Sequence, residues 1–160
     1  MSSVTAVGDI LEDYAARGVF RGFSRHREGS RRGEYRLLWH RDQVFQLNYD
    51  ATTAALRVAC VLPAVEPGTS MYREFRQWLK DRQDPALPEH RRCDSGKLTL
   101  RTYNRGGDVA LTLKLLDGDI DYGVRKLVFL VNEIYLDFLS SGLYLDWLIE
   151  TFELDPDNPY

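Results

Sequence analysis

Val44-Phe45-Gln46-Leu47-Asn48-Tyr49, the link Asp50-Ala51-Thr52-Thr53, and Ala55-Leu56-Arg57-Val58-Ala59-Cys60-Val61-Leu62 decide the fold. In the first run Phe45, Leu47 and Tyr49 alternate with Gln46 and Asn48. In the second, Leu56, Val58, Cys60 and Leu62 share one side. An alternation of period two marks a strand with one face in a core, and so short a polar link makes the two strands antiparallel neighbours. Just upstream, Tyr35-Arg36-Leu37-Leu38-Trp39 reads as another strand, joined through His40 to Gln43. The three form a meander.

Working outward, Pro63 and Pro67-Gly68 close this unit. Ser70 is a natural N-cap, with Glu74 in the first turn, for a helix to about Arg82 carrying Met71, Tyr72, Phe75, Trp78 and Leu79 as its apolar stripe. Asp84-Pro85 and Leu87-Pro88 mark a loop. Leu98, Leu100 and Thr102, then Val109, Leu111, Leu113 and Leu115, read as a hairpin around Asn104-Arg105-Gly106-Gly107, a turn able to take positive φ. Asp117-Gly118-Asp119 caps a long apolar helix from about Ile120 to Leu139, which Gly142 ends. A shorter helix follows from Leu143 to Phe152, then an acidic, frayed tail over 153–160.

On the other side, Val4, Val7, Ile10, Leu11 and Tyr14 recur at helical spacing over residues 4–16, with Gly18 as the stop. Val19 to Gly33 is Arg-rich and broken by Gly22, Gly29 and Gly33; it admits an edge strand over Val19 to His26 followed by an exposed loop. The order is α-β-β-β-α-β-β-α-α. This predicts an α+β fold: an antiparallel sheet of about five strands with helices packed on one face, in a single domain over 1–152.

The chain has 160 residues, 44% hydrophobic and 28% charged, enough to bury a core and outside the composition of disorder. The longest apolar run, Leu127 to Val131, is far short of a membrane span. The N-terminus lacks the pattern of a secretory signal. With only two cysteines, Cys60 and Cys93, a disulfide framework is not expected and a cytoplasmic location is. A net charge of −3 speaks against a dedicated nucleic-acid binder. It hides an asymmetry: eight arginines lie between Arg17 and Arg41, while ten acids follow from Asp117 onward against Arg125 and Lys126. A basic front and an acidic back have the means to attract each other, although scattered solvated charge accounts for the pattern equally well.

No motif of catalysis emerges. His26, His40 and His90 are far apart, and His90-Arg91-Arg92-Cys93 has no second pair to complete a metal site. Cys60 reads as a small core residue. Cys93, flanked by Arg91, Arg92 and Asp94, reads as more exposed, with cations able to lower its pKa but no paired base. Ser95-Gly96-Lys97 lacks the upstream glycine of a phosphate loop, and Asp117, Asp119 and Asp121 lack the glycine and closing glutamate of a calcium loop, so capping explains them better. No enzyme activity, cofactor or metal is expected. Arg25, His26, Arg27, Arg31 and Arg32, interleaved with Phe20, Phe23 and Tyr35, keep a nucleic-acid backbone open as one alternative. A small-ligand binder or an enzyme without a recognisable motif is another.

The element order, together with Val131-Asn132-Glu133-Ile134-Tyr135 and Leu148-Ile149-Glu150-Thr151-Phe152, resembles the type III secretion chaperone-like fold and within it the YbjN-like bacterial proteins, over Val4 to about Phe138. The resemblance implies a protein without enzymatic activity that binds another protein or peptide segment, as chaperone or regulatory adaptor. The Arg-rich insertion and the helix at Leu143 to Phe152 depart from the chaperone pattern. Phe129 and Leu130 widen the apolar stripe of the long helix, which predicts a homodimer unless the final helix covers the surplus. The expected binding surface comprises Phe20 and Phe23 with Arg25, Arg27, Arg31 and Arg32, together with Tyr72 and Trp78. Aromatics would anchor an apolar, acidic peptide and arginines would steer it, whereas core packing is the competing reading for all four rings.

Overall fold

The structure, a computed structural model, describes residues 2–140. Helix α1 (Ser3–Ala16) begins at Ser2, whose hydroxyl accepts from the Thr5 amide, and stops before Gly18 at φ +81°. Four strands follow: β1 (Gly22–Glu28), β2 (Arg32–Leu38), β3 (Val44–Asp50) and β4 (Ala55–Leu62). Then come α2 (Ser70–Asp81), the hairpin β5 (Leu98–Arg105) and β6 (Asp108–Leu115), and α3 (Ile120–Leu136). The helix expected over Leu143 to Phe152, its stop at Gly142 and the tail over 153–160 lie outside the described residues.

The six strands form one antiparallel sheet in the order β1-β2-β3-β4-β6-β5. The class and the one-sided helices are as the sequence predicts. The sheet has one strand more than the five expected, because the Arg-rich stretch pairs along β2 from Gly22 to Glu28, where the sequence reading stopped at His26. Glycine's freedom does not prevent this, since the hairpin closes at Gly29, whose amide donates to the Arg32 carbonyl at 2.8 Å. β4 pairs with β6, not with β5, so the final hairpin inserts its second strand into the centre.

One face of the sheet and the three α-helices of the described residues share a single core. Tyr35 and Leu37 of β2, Phe45, Leu47 and Tyr49 of β3, Leu56 and Val58 of β4, and Leu111, Leu113 and Leu115 of β6 point into it. Against them lie Val4, Val7 and Leu11 of α1, Met71, Phe75 and Leu79 of α2, and Val124, Leu127, Val131 and Ile134 of α3. Close approach is built in at Gly123, where an added Cβ would meet Leu115 at 2.4 Å.

Several local expectations change. Thr69, not Ser70, is the N-cap of α2, accepting from the Tyr72 amide, because Gly68 at φ +80° turns the chain one residue earlier. At the other cap the expectation holds: Asp119 accepts from the Tyr122 amide at 3.1 Å. The two cysteines exchange their expected settings. The pairing of β4 with β6 slips between Val58 and Leu62, which breaks the pleat, turns Val61 inward and leaves Cys60 half-buried at 3.8 Å from Asp108. Cys93 is buried, its amide bound to the Arg82 carbonyl at the end of α2.

The apolar surplus of α3 is covered only in part: Leu130 is buried, Phe129 is half-buried and Leu136 is 69% exposed. Ten of its residues are buried, and even Lys126 is only 2% exposed, its Nζ donating to the Glu89 carbonyl at 2.8 Å.

Candidate functional site

An antiparallel strand sends alternate residues to opposite faces, so every strand that feeds the core also builds a second face. Among the described residues no helix packs on that second face, and most of it is polar, with Val44 and Tyr103 as exposed apolar exceptions.

Register places its residues in rows across the sheet. One row runs Arg27, Glu34, Asn48, Arg57, Thr112, Arg101 from β1 to β5. The next runs Arg32, Asp50, Ala55, Lys114, Thr99. Ala55, the smallest side chain of the second row, leaves a depression. On the β2–β3–β4 side it is a hollow of about 330 Å³ lined by Arg32, Glu34, Asn48, Asp50, Arg57 and Thr112, among others. A smaller hollow of about 140 Å³ continues it over Thr99, Arg101 and Lys114, and both share Ala55 and Thr112. The result is one trough across five strands.

Its charge is uneven. Arg32 pairs with Asp50 at 3.5 Å on the β2–β3 side. On the β4–β6–β5 side Arg57, Arg101 and Lys114 are exposed, and none has a carboxylate within ion-pair distance among the described residues. An arginine fork presents parallel N–H donors that match a carboxylate, and unpaired guanidinium groups at a surface are already hydrated, so an arriving acid need not displace an internal partner.

The expected binding residues separate into two groups. Phe20 is 5% and Tyr72 8% exposed, so neither offers a free ring. Phe20 meets Trp39 edge-on at 4.8 Å between centroids. Phe23 stacks on Tyr35 at 6.5 Å, and Trp78 packs against both Phe75 and Phe138 with its Nε1–H donating to Asp137. All four pack on the core because their positions in the alternation, or on the helix stripe, face it.

Arg25 is on the core side as well. Its guanidinium lies over Gly8, donating to Asp9 at 2.8 Å, Glu28 at 2.8 Å and Glu12 at 3.3 Å. Arg27, Arg31 and Arg32 remain exposed, and the sheet brings Arg27 and Arg32 to the polar face, one row apart. His26 is the extra residue of a bulge between Arg25 and Arg27, which blunts the β1 edge.

Arg57, Thr112, Lys114 and Arg101 were not among the expected site residues. The signal was present: each interrupts an apolar alternation that defines the core. What alternation does not reveal is that β4, β6 and β5 stand side by side.

The basic front and acidic back do not pair with each other among the described residues. Front arginines bind front acids, Arg17 to Asp13, Arg21 to Asp42 and Arg25 to Asp9 and Glu12. Acids of the back bind cations of the middle: Glu133 takes Arg91 and Arg82, and Asp117 and Asp119 share Lys97.

Proton chemistry is quiet. Burial pushes the Cys93 thiol up to about 11, outweighing the nearby Lys126 and Arg82 charges that pull it down, so the expected lowering does not occur. Burial, then Asp108, raise Cys60 to about 11. Burial holds His40 below the usual imidazole range, against the hydrogen bond its Nε2–H donates to Asn132 Oδ1 at 2.6 Å. Among the described residues no three His, Cys, Asp or Glu side chains are grouped to hold a metal ion, and no helix is long and apolar enough to cross a membrane. Compared with known proteins, the chain matches no family model, no curated protein and no solved structure.

Proposed function

We propose that the chain is a non-enzymatic protein-binding module, a chaperone or regulatory adaptor of the YbjN-like, type III secretion chaperone-like class, whose working surface is the polar face of the sheet. One observation carries this reading. Every helix among the described residues packs on one side of a six-stranded sheet, and the other side is left as a trough with cations that have no ion-pair partner among those residues. A sheet face of this area with unmatched charge is a surface prepared for a charged partner. The order of helix, meander, helix, hairpin and helix supports the chaperone-like resemblance; β1 is an addition to it. A cytoplasmic location belongs to the same proposal. A homodimer belongs to the same proposal: Phe129 of α3 is only half-buried and Leu136 is 69% exposed among the described residues, apolar surface that a second copy would cover.

A photo-reactive residue in place of Thr112 tests the assignment, with one at Arg76, exposed on α2, as the comparison. In cells of the native host, cross-links to a discrete protein are expected from position 112 and not from 76. Cross-links from 76 alone would move the binding surface to the helical side.

The same cations favour a second reading, capture of single-stranded nucleic acid. Stacking platforms normally accompany such binding. Tyr103 is the one largely exposed aromatic ring among the described residues.

A further inference from the structure

Resting on that reading of the polar face, we infer that the trough takes an extended acidic peptide segment lying across the strands, with its carboxylates on Arg57, Arg101 and Lys114. The two hollows meet over Ala55 and Thr112, so a ligand entering one continues into the other. From β2 to β5 there are four inter-strand steps of about 4.8 Å, about 19 Å in all, which accommodates roughly six residues of extended chain. Capture across the strands also needs no free strand edge. This matters because β1, one of the two edges, carries the His26 bulge and two arginines, Arg25 and Arg27.

Charge sets the direction and the chemistry. At the β4–β6–β5 end three cations have no carboxylate partner among the described residues, so an acid gains a charge-assisted contact there without breaking a pair those residues make. At the β2 end Glu34 and the Arg32–Asp50 pair line the larger hollow. A uniform polyanion running the full length would set its charges against Glu34 and Asp50. A peptide with acids towards β5 and neutral or basic groups towards β2 meets complementary charge along the trough. Asn48, Thr99 and Thr112 add hydrogen-bonding side chains for a peptide backbone between the two ends. These features favour a peptide over a nucleic acid, whose phosphates repeat along its whole length.

The test uses the full chain and a fluorescein-labelled hexapeptide of three Glu followed by three Ala, with binding read by fluorescence anisotropy. A Gln-for-Glu peptide and a six-nucleotide oligothymidylate serve as comparisons. The acidic peptide should bind, the Gln peptide should bind at least tenfold more weakly, and raising salt from 50 to 500 mM should weaken the complex. Arg57→Glu with Arg101→Glu should reduce affinity at least tenfold. Ala55→Phe, which fills the trough and leaves every charge in place, should do the same with an unchanged melting temperature. Equal binding of the Gln peptide, tighter binding of the oligonucleotide, or affinity unaffected by both variants would overturn the inference. A protein captured at position 112 whose cross-linked segment has no acids would remove this occupant and keep the surface. Capture of nothing there, with no peptide binding, would remove both.

Discussion

Leu113 and Lys114 are consecutive residues of β6, yet one is 0% exposed among α3 and β4 side chains while the other stands on the polar face beside Ala55. The same contrast repeats along β3 with Leu47 and Asn48, and along β4 with Leu56 and Arg57. A single strand thus serves stability with one set of residues and recognition with the other. The two sets should respond to substitution in opposite ways.

The sharpest way to break this comparison is Leu113→Ala against Lys114→Ala. Removing a fully buried leucine loses transfer free energy and leaves a cavity, so Leu113→Ala should cost about 2–5 kcal/mol. Lys114→Ala should stay within about 0.5 kcal/mol. Urea unfolding measures both, and comparable costs would mean that the polar face is covered.

A smaller effect separates two arginines of β1. Arg25 reaches three carboxylates and the Thr5 carbonyl, fastening α1 to the sheet. Those contacts are partly solvated, so Arg25→Ala should cost about 1–2 kcal/mol. Arg27→Ala, from an exposed position across from Glu34, should be near zero. If the two variants unfold at the same urea concentration, the clamp contributes nothing.

Smaller again is the pH response of His40. Its folded pKa lies below the unfolded value of 6.5, so the unfolded chain takes up the proton first. The stability contributed by the neutral ring is complete well above pH 6.5 and is lost as pH falls from there through the folded pKa. Between pH 7 and 5.5 the urea midpoint should therefore fall, and His40→Gln should flatten that fall. An identical slope in the variant would reject the assignment.

The thiols are expected to leave stability untouched. With both held near 11, a thiol reagent at pH 8 should modify half-buried Cys60 slowly and Cys93 only on unfolding. Rapid modification of Cys93 in the folded protein would show that the loop after α2 opens.

How much of this was legible beforehand follows from what periodicity carries. The alternation over Val44 to Tyr49 and Val109 to Leu115 marks strands and their inward residues, and Asp119 announces a helix start through its chemistry. Residues interrupted by bulges do not obey the rule: Cys60 lies where the pleat slips, and His26 is an extra residue in its strand. Aromatics in the Arg-rich stretch suggested a surface because their neighbours are charged. In fact Phe23 lies on the core side of β1, two residues before Arg25, and Phe20 packs on Trp39 from the turn that precedes the strand. Arg57 and Arg101 are brought to opposite sides of Thr112 by a strand order that no local pattern encodes.

That order also determines how the chain must find its shape. β1 to β4 are joined by short links and can zip up as successive hairpins, each closing a small loop. The seam between β4 and β6 is different: Leu62 meets Val109, and the whole of 63–108 has to be drawn into a closed loop first. Closure entropy rises only logarithmically, by about 0.6 kcal/mol for each doubling of loop length, so the penalty is borne mainly by rate. The seam is accordingly expected to be the slow step of folding. Lengthening the chain around Asp84 and Pro85 would delay the joining of the two halves while barely altering the stability of the joined state.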